Sequence, residues 1–323
     1  MLRKFLIWVL PVALLLAACG PAVISTSQPE AATESVQPNQ VQTEPAPIDL
    51  TDGLGREVKL ESPARRVVSL APSNTEILFA IGAGSQVVGR DELSDYPEGV
   101  AGIQSVGGSM GNFSTEAIVA LKPDLVLAAE INPPELVKSL EGLGLTVYYL
   151  PNPTTLEGMY ANLETVARLT GHVDETSALI QSLKARVAAV DTKLAGVSVR
   201  PSAFYELDAT DASKPYTAGP GTFIDLLIQR AGGVNVASTL KDQYPQISLE
   251  ELVLLNPDII VLSDSAYGET PEKVAARAGW GTLAAVKDGQ VYPFDYHLLS
   301  LPGPRLVDGL EQLAKLLHPE LFK

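Results

Sequence analysis

Apolar and polar positions change rhythm repeatedly along this chain. Val58 to Leu60 and Arg66 to Leu70 read as strands, Pro72-Ser73-Asn74 breaks the run, and Thr75 to Ile81 takes helical spacing before Gly82 and Gly84 close it. Val87-Val88 is a short apolar pair that fits another strand. Ser114 to Leu121 is helical again. Lys122-Pro123-Asp124 stops it, and Leu125 to Ala129 is a continuous apolar run of the kind found in strands buried on both faces. Pro134 to Leu143 predicts a helix and Thr146 to Leu150 a strand. Such alternation predicts an α/β unit on a mostly parallel sheet.

Residues 154–196 keep helical periodicity without a strand signal. Gly171 interrupts them, so two helices are expected. The second, Asp174 to Leu194, places Leu179, Ile180, Leu183, Val187 and Val190 at helical spacing. It is nearly twice the ~11–12 residues of an average helix and reads as a strut. After Gly196 the α/β pattern resumes. Strands are expected at Ser202 to Leu207, Asp258 to Leu262 and Gln290 to Phe294. Helices are expected at Phe223 to Ala231, Ser248 to Leu255, Pro271 to Ala278 and Pro304 to Leu317.

One phrase occurs twice. Phe113 to Leu127 aligns without a gap with Ile247 to Val261, with Ser114/Ser248, Glu116/Glu250, Val119/Val253, Leu121/Leu255, Pro123/Pro257 and Asp124/Asp258 identical. The chain therefore reads as two related lobes, residues 49–153 and 197–323, joined by the helices between. Ser114 and Ser248 are natural N-caps, and Ser248 with Glu251 fits a capping box. Glu116 and Glu250 fall in the first turn of their helices. There a carboxylate is worth ~0.3–1 kcal/mol against the helix dipole and needs no other task. As a symmetric pair they suggest a partner that is itself paired.

The first residues do not belong to the fold. Arg3 and Lys4 precede an apolar run, Phe5 to Leu16, which is shorter than the ~20 residues of a membrane span. The run ends in Leu16-Ala17-Ala18-Cys19-Gly20, a signal peptide with small residues before its cleavage site. Cys19 is the chain's one cysteine, so no internal disulfide and no cysteine metal site can form. Residues 20–48, rich in Ser, Thr, Gln, Pro, Ala and Glu, read as a flexible tether. The formal net charge of −15 argues against nucleic acid as a partner, and 46% hydrophobic residues suffice for a buried core.

Together, Arg66 to Gly84 (RVVSLAPSNTEILFAIGAG), Ser94-Asp95-Tyr96-Pro97, the phrase ending LKPDLVL, Thr222 to Asp225, Ala231 to Asn235, Ile247 to Glu250, Gly279-Trp280 and Ala285 to Gly289 resemble the cobalamin and ferric-chelate binding proteins of type II ABC importers. The resemblance spans roughly residues 50 to 320. It implies two Rossmann-like lobes joined by one long helix, with a ligand in the cleft between them. It also implies docking glutamates at Glu116 and Glu250 that meet arginines on a dimeric permease with its ATPase subunits. The Cys19 segment resembles a lipobox, which implies a lipid-anchored protein outside the cytoplasm, working as a monomer.

For the cleft the resemblance implies contacts from Pro72, Ser73 and Asn74, whose backbone N–H groups open a helix, and from Tyr216 and Tyr244, which match aromatic positions facing a corrin ring. Leu93 and Met110 stand where cobalamin binders can carry aromatics. Met110 also matches an axial iron ligand of some haem binders, with Tyr267 or His297 opposite. The expected ligand is thus a corrinoid, with haem or another ferric chelate as the alternative. No resident cofactor or metal is expected. Two other classes remain on sequence grounds. Gly107-Gly108-Ser109-Met110-Gly111 matches the G-x-S-x-G elbow of α/β-hydrolases, with Ser109 as nucleophile. An adhesive surface lipoprotein would need no cleft at all.

Overall fold

The computed structural model describes residues 47–323. The expected leader, Cys19 and residues 20–46 of the tether lie outside the described residues. The fold opens on an antiparallel hairpin, β1 (Ile48–Thr51) with β2 (Glu57–Leu60). β1 alternates half-buried and exposed positions but is too short for its rhythm to stand out.

Four strands then form a parallel sheet. They are β3 (Val67–Ser69), β4 (Val87–Arg90), β5 (Leu125–Ala129) and β6 (Val147–Leu150), in the order β4-β3-β5-β6. Between them lie α1 (Pro72–Ala80), α2 (Thr115–Ala120) and α3 (Pro134–Gly142). The sheet has apolar side chains on both faces. Val67, Leu125, Leu127 and Tyr148 join one core cluster, while Val68, Val126, Ala128, Val147 and Tyr149 join another. Successive side chains of a strand point to opposite faces, so a strand covered on both sides must be apolar throughout.

The middle of the chain is α4 (Leu156–Thr170) and α5 (Val173–Leu194). Gly171 separates them at φ +83°, a left-handed cap that favours glycine. Ile180, Leu183, Val187 and Val190 are buried on α5, while Leu179 is only partly buried. Arg186 on α5 binds Glu311 at 2.6 Å, and Asp191 binds Arg230 at 2.7 Å. Part-exposed pairs of this kind are worth ~0–1 kcal/mol each, so the apolar seam does most of the holding.

A second sheet is built from β7 (Ser202–Asp208), β8 (Tyr216–Thr217), β9 (Val234–Asn235), β10 (Ile259–Leu262) and β11 (Val291–Pro293). Its order is β11-β10-β7-β8, with β9 also paired to β7, and only β8 runs antiparallel. Around it lie α6 (Phe223–Arg230), α7 (Leu249–Leu255), α8 (Pro271–Ala276), α9 (Ala284–Lys287), α10 (His297–Ser300) and α11 (Leu306–Leu317). One continuous core runs from Leu127 through Leu163, Leu183 and Val187 into Tyr205, Val261 and Leu310. The two sheets therefore share a core by way of α4 and α5.

The repeated phrase has the same local structure twice. Ser114 Oγ accepts the Ala117 N–H and Ser248 Oγ the Glu251 N–H, both at 3.2 Å. The capping box expected of Ser248 and Glu251 is only half formed, since Glu251 makes no return bond among the described residues. Lys122 and Asn256 both take left-handed φ, 47° and 42°, just before the repeated prolines. Asp124 then accepts the N–H groups of Arg65 and Arg66 at 2.9 Å, and Asp258 those of the Ser202 backbone and hydroxyl at 2.7 Å. Each aspartate thus ties the start of one strand to its neighbour.

Pro72-Ser73-Asn74, expected to break the chain, is instead the first turn of α1. Proline suits the first helical position because its missing N–H would have no intrahelical partner there, and extended Ala71 supplies the cap.

Candidate functional site

The carboxyl ends of parallel strands are where α/β sheets leave a crevice. Here both sheets leave one in common. β3 runs into Pro72-Ser73-Asn74, β5 into Glu130-Ile131 and β6 into Pro151, while Leu207, next to the last residue of β7, joins the start of α6 in the lining. The Gln243-Tyr244 loop and the Leu299–Pro302 segment complete a cavity of ≈ 680 Å³. That lies within the ~300–1,000 Å³ typical of small-molecule sites.

Ile131, 73% exposed, and Tyr244, 57% exposed, offer apolar surface to an occupant. The polar groups are amides (Asn74, Asn152, Asn162, Gln243) and hydroxyls (Ser73, Thr154, Thr222, Ser300). Among the described residues that line the cavity, Glu130 is the one charged side chain.

Several of these groups are held in place. Asn74 is fully buried; its Nδ2 donates to the Leu127 carbonyl at 3.0 Å, and its Oδ1 finds no partner among the described residues. Asn162 donates to the Pro151 carbonyl at 2.8 Å. Thr222 donates to the Gly219 carbonyl at 2.9 Å while capping α6 through the Asp225 N–H. The Tyr244 phenol is pushed above its usual pKa, first by burial and then by the negative charge of Glu130. Glu130 and Tyr244 come from different sheets, so the charge acts across the cleft.

Beside the cavity the lobes touch directly. Arg305, just before α11, donates through Nε to Glu76 Oε2 of α1 at 3.0 Å and through NH2 to Glu76 Oε1. The Tyr96 ring lies against its guanidinium, 3.9 Å from Cζ to the ring centroid. Glu76 is 3% exposed, and burial raises its pKa despite the arginine. His297 Nε2 stands 3.7 Å from Asp95, and Asp295 Oδ1 accepts from His297 Nδ1 at 2.8 Å. Tyr296 packs on His297 at 3.8 Å between ring centroids and on Tyr267 at 6.1 Å.

Of the residues singled out in the sequence, Pro72, Ser73, Asn74 and Tyr244 line the cavity. Leu93, Tyr216, Tyr267 and His297 are not among its lining residues; His297 and Tyr267 gather around Tyr296 at the lobe contact, and Tyr216 is exposed on β8. The backbone of Met110 sits in the single turn Ser109–Gly111, and its side chain lies outside the described residues. Glu116 and Glu250 are both exposed. Ser109 lacks the elbow of a hydrolase: Gly107 and Gly108 precede it at φ +87° and +109°, and Ile103 to Val106, where the elbow needs a strand, forms only one bridge, between Arg90 and Ser105.

Glu130, Asn152, Asn162, Thr222 and Gln243 escaped the sequence reading. Glu130 had one signal available, its place directly after an apolar strand.

A family model described as periplasmic binding protein matches residues 67–296. An uncharacterized ABC transporter substrate-binding lipoprotein of Bacillus subtilis, YvrC, is 31% identical over 315 residues, covering 96% of this chain and 95% of that protein. A cobalamin-binding protein of Halobacterium salinarum is 31% identical over 279 residues, 84% of this chain and 74% of that one. Among solved structures, the periplasmic heme-binding protein RhuT from Roseiflexus sp. RS-1 superposes with a TM-score of 0.72 at 26% identity, covering 80% of this chain and 99% of that one.

Proposed function

The chain belongs to the periplasmic binding protein family, as the substrate-binding protein of an ABC importer, and on that premise we propose that its cleft captures a corrinoid. The family works outside the cytoplasm and hands a small molecule to a permease and its ATPase. The ligand reading rests on one observation: the cavity lining is rich in amides and hydroxyls, with one carboxylate and no cation among its described residues. A corrin ring is edged with carboxamides, which both donate and accept hydrogen bonds and match such groups. The flat ring suits the faces of Tyr244 and Ile131.

Haem suits this lining less well. Its two propionates would lose water without gaining a positive partner, and Glu130 would repel them. An iron-ligating tyrosine works as a phenolate. Tyr244 is the tyrosine on the cavity wall; although it is more than half exposed, its partial burial and then the charge of Glu130 act against its ionisation. Catecholate iron chelates meet the same charge objection. The relatives are named for cobalamin, haem and ferric hydroxamate among others, so the lining chemistry tips the balance.

Titration of the full-length protein in mild detergent with cyanocobalamin, and separately with haemin, tests this. Saturable cobalamin binding with no shift of the haemin absorbance supports the proposal. The reverse pattern refutes it.

Glu116 and Glu250 are proposed as the paired contacts with the permease, one for each half. The protein is further proposed to be held to the membrane by lipid on Cys19 and to act as a monomer. Cys19→Ser should move it from the detergent phase to the aqueous phase on partitioning; an unchanged distribution would speak against the anchor. Size-exclusion chromatography with light scattering should return one chain per particle.

A further inference from the structure

We infer, on the corrinoid reading of the cleft, that Glu130 selects for the charge at the corrinoid's metal centre, favouring cationic forms with a neutral upper ligand over uncharged ones. A cobalamin whose cobalt(III) carries water as upper ligand has one more positive charge than the same molecule carrying cyanide. The two differ little in size and share every peripheral amide. A charge on the wall of the cleft is what can tell them apart.

The wall provides that charge and holds it in place. Glu130 directly follows β5 and is the one charged side chain among the described lining residues. It makes no hydrogen bond or ion pair among the described residues, so its charge is not spent on the protein. Its turn is pinned from two sides. Asn132 Oδ1 accepts the Ala129 N–H at 2.8 Å, and Asn132 Nδ2 donates to the Leu70 carbonyl at 3.0 Å. Asn132 is itself 2% exposed, so this anchor is buried, and it ties the Glu130 turn to the strand end that leads into Pro72. Tyr244, from the second lobe, lines the same cavity. An occupant of that cavity lies in the field of Glu130. No lysine, arginine or histidine among the described lining residues offsets it. An exposed carboxylate on the cavity wall should give a preference of about 2-fold or somewhat more at low salt, shrinking as salt is added.

The experiment compares affinities of full-length protein in mild detergent for aquocobalamin and cyanocobalamin. It is run at mildly acidic pH, where the cobalt-bound water keeps its protons. The wild type should bind aquocobalamin more tightly, by about 2-fold or somewhat more. Glu130→Gln should abolish that ratio, chiefly by weakening aquocobalamin binding, and its circular dichroism and thermal melting should match the wild type, which reports that the variant is folded. Glu130→Lys should reverse it. The absorbance bands of bound aquocobalamin should match those of the free form, showing that charge, and not replacement of the water by a side chain such as His297, makes the difference. Equal affinities in the wild type, a ratio that survives in Glu130→Gln, or shifted cobalt bands would overturn the inference and leave the corrinoid reading intact. Failure of both corrinoids to bind would remove the corrinoid reading and this inference with it.

Discussion

Glu206 shows how far one residue can depart from what its neighbours in sequence suggest. In Ser202–Asp208 it reads as the polar end of a strand, yet it is fully buried one position before Leu207 of the cavity wall. Both terminal nitrogens of Arg277 donate to it, at 2.6 and 2.8 Å, and Arg277 also binds Glu269 at 2.8 Å and lies 4.5 Å from the Trp280 ring centroid. The partner is far away in sequence, so no local pattern could announce the burial. Burial lifts the Glu206 carboxyl to about 7 despite the guanidinium, and burial likewise raises its neighbour Asp264, whose Oδ1 has no partner among the described residues. Because the folded pKa lies above the ordinary 4.5, the folded state holds the extra proton, and its stabilising effect is complete below that value. Stability should fall as pH rises through about 7, by on the order of 1–3 kcal/mol. Thermal unfolding across this range should show the slope, and Glu206→Gln should flatten it; a slope unaltered in the variant would assign it to other groups.

Elements with strong periodicity were legible, and those without it were not. β5 matches its expected bounds, and the second interlobe helix begins one residue before its expected start. The two-residue strands β8 and β9 and the four-residue α9 and α10 carry too little pattern to detect. The contact between α1 and the residues before α11 was equally hidden, since Glu76 and Arg305 look like surface charges. Removing one partner of a buried ion pair leaves the other uncompensated, at a cost of ~3–5 kcal/mol. Arg305→Met should therefore destabilise the protein by about that much, somewhat less for the residual exposure of the pair. Glu76→Gln with Arg305→Met should recover part of the loss. Urea unfolding of the wild type and the two variants measures this; a single variant as stable as the wild type would mean that the contact contributes nothing.

At the scale of the molecule, the duplicated phrase was the most informative feature of the sequence. It announced two lobes before any cleft was visible, and its serines, prolines and aspartates serve both lobes alike. The glutamates within it have no matching structural task beyond the first turn of a helix. If they meet a two-fold permease, Glu116→Ala combined with Glu250→Ala should leave ligand affinity unchanged and lower uptake at least ~10-fold in cells carrying the cognate importer; undiminished uptake would remove them from docking. The cleft was legible in position and in part of its lining, through Pro72, Ser73, Asn74 and Tyr244, but not in its remaining polar groups. Its amides come from loops and helix ends of both lobes, brought together by the core that runs through α4 and α5. The most direct measurement is the crystal structure with cyanocobalamin. It should place the corrin ring between Ile131 and Tyr244, with ring amides bonded to exposed groups of the lining such as Asn152, Thr154 and Gln243. A corrinoid bound elsewhere, or an empty cleft at saturating cobalamin, would contradict the account.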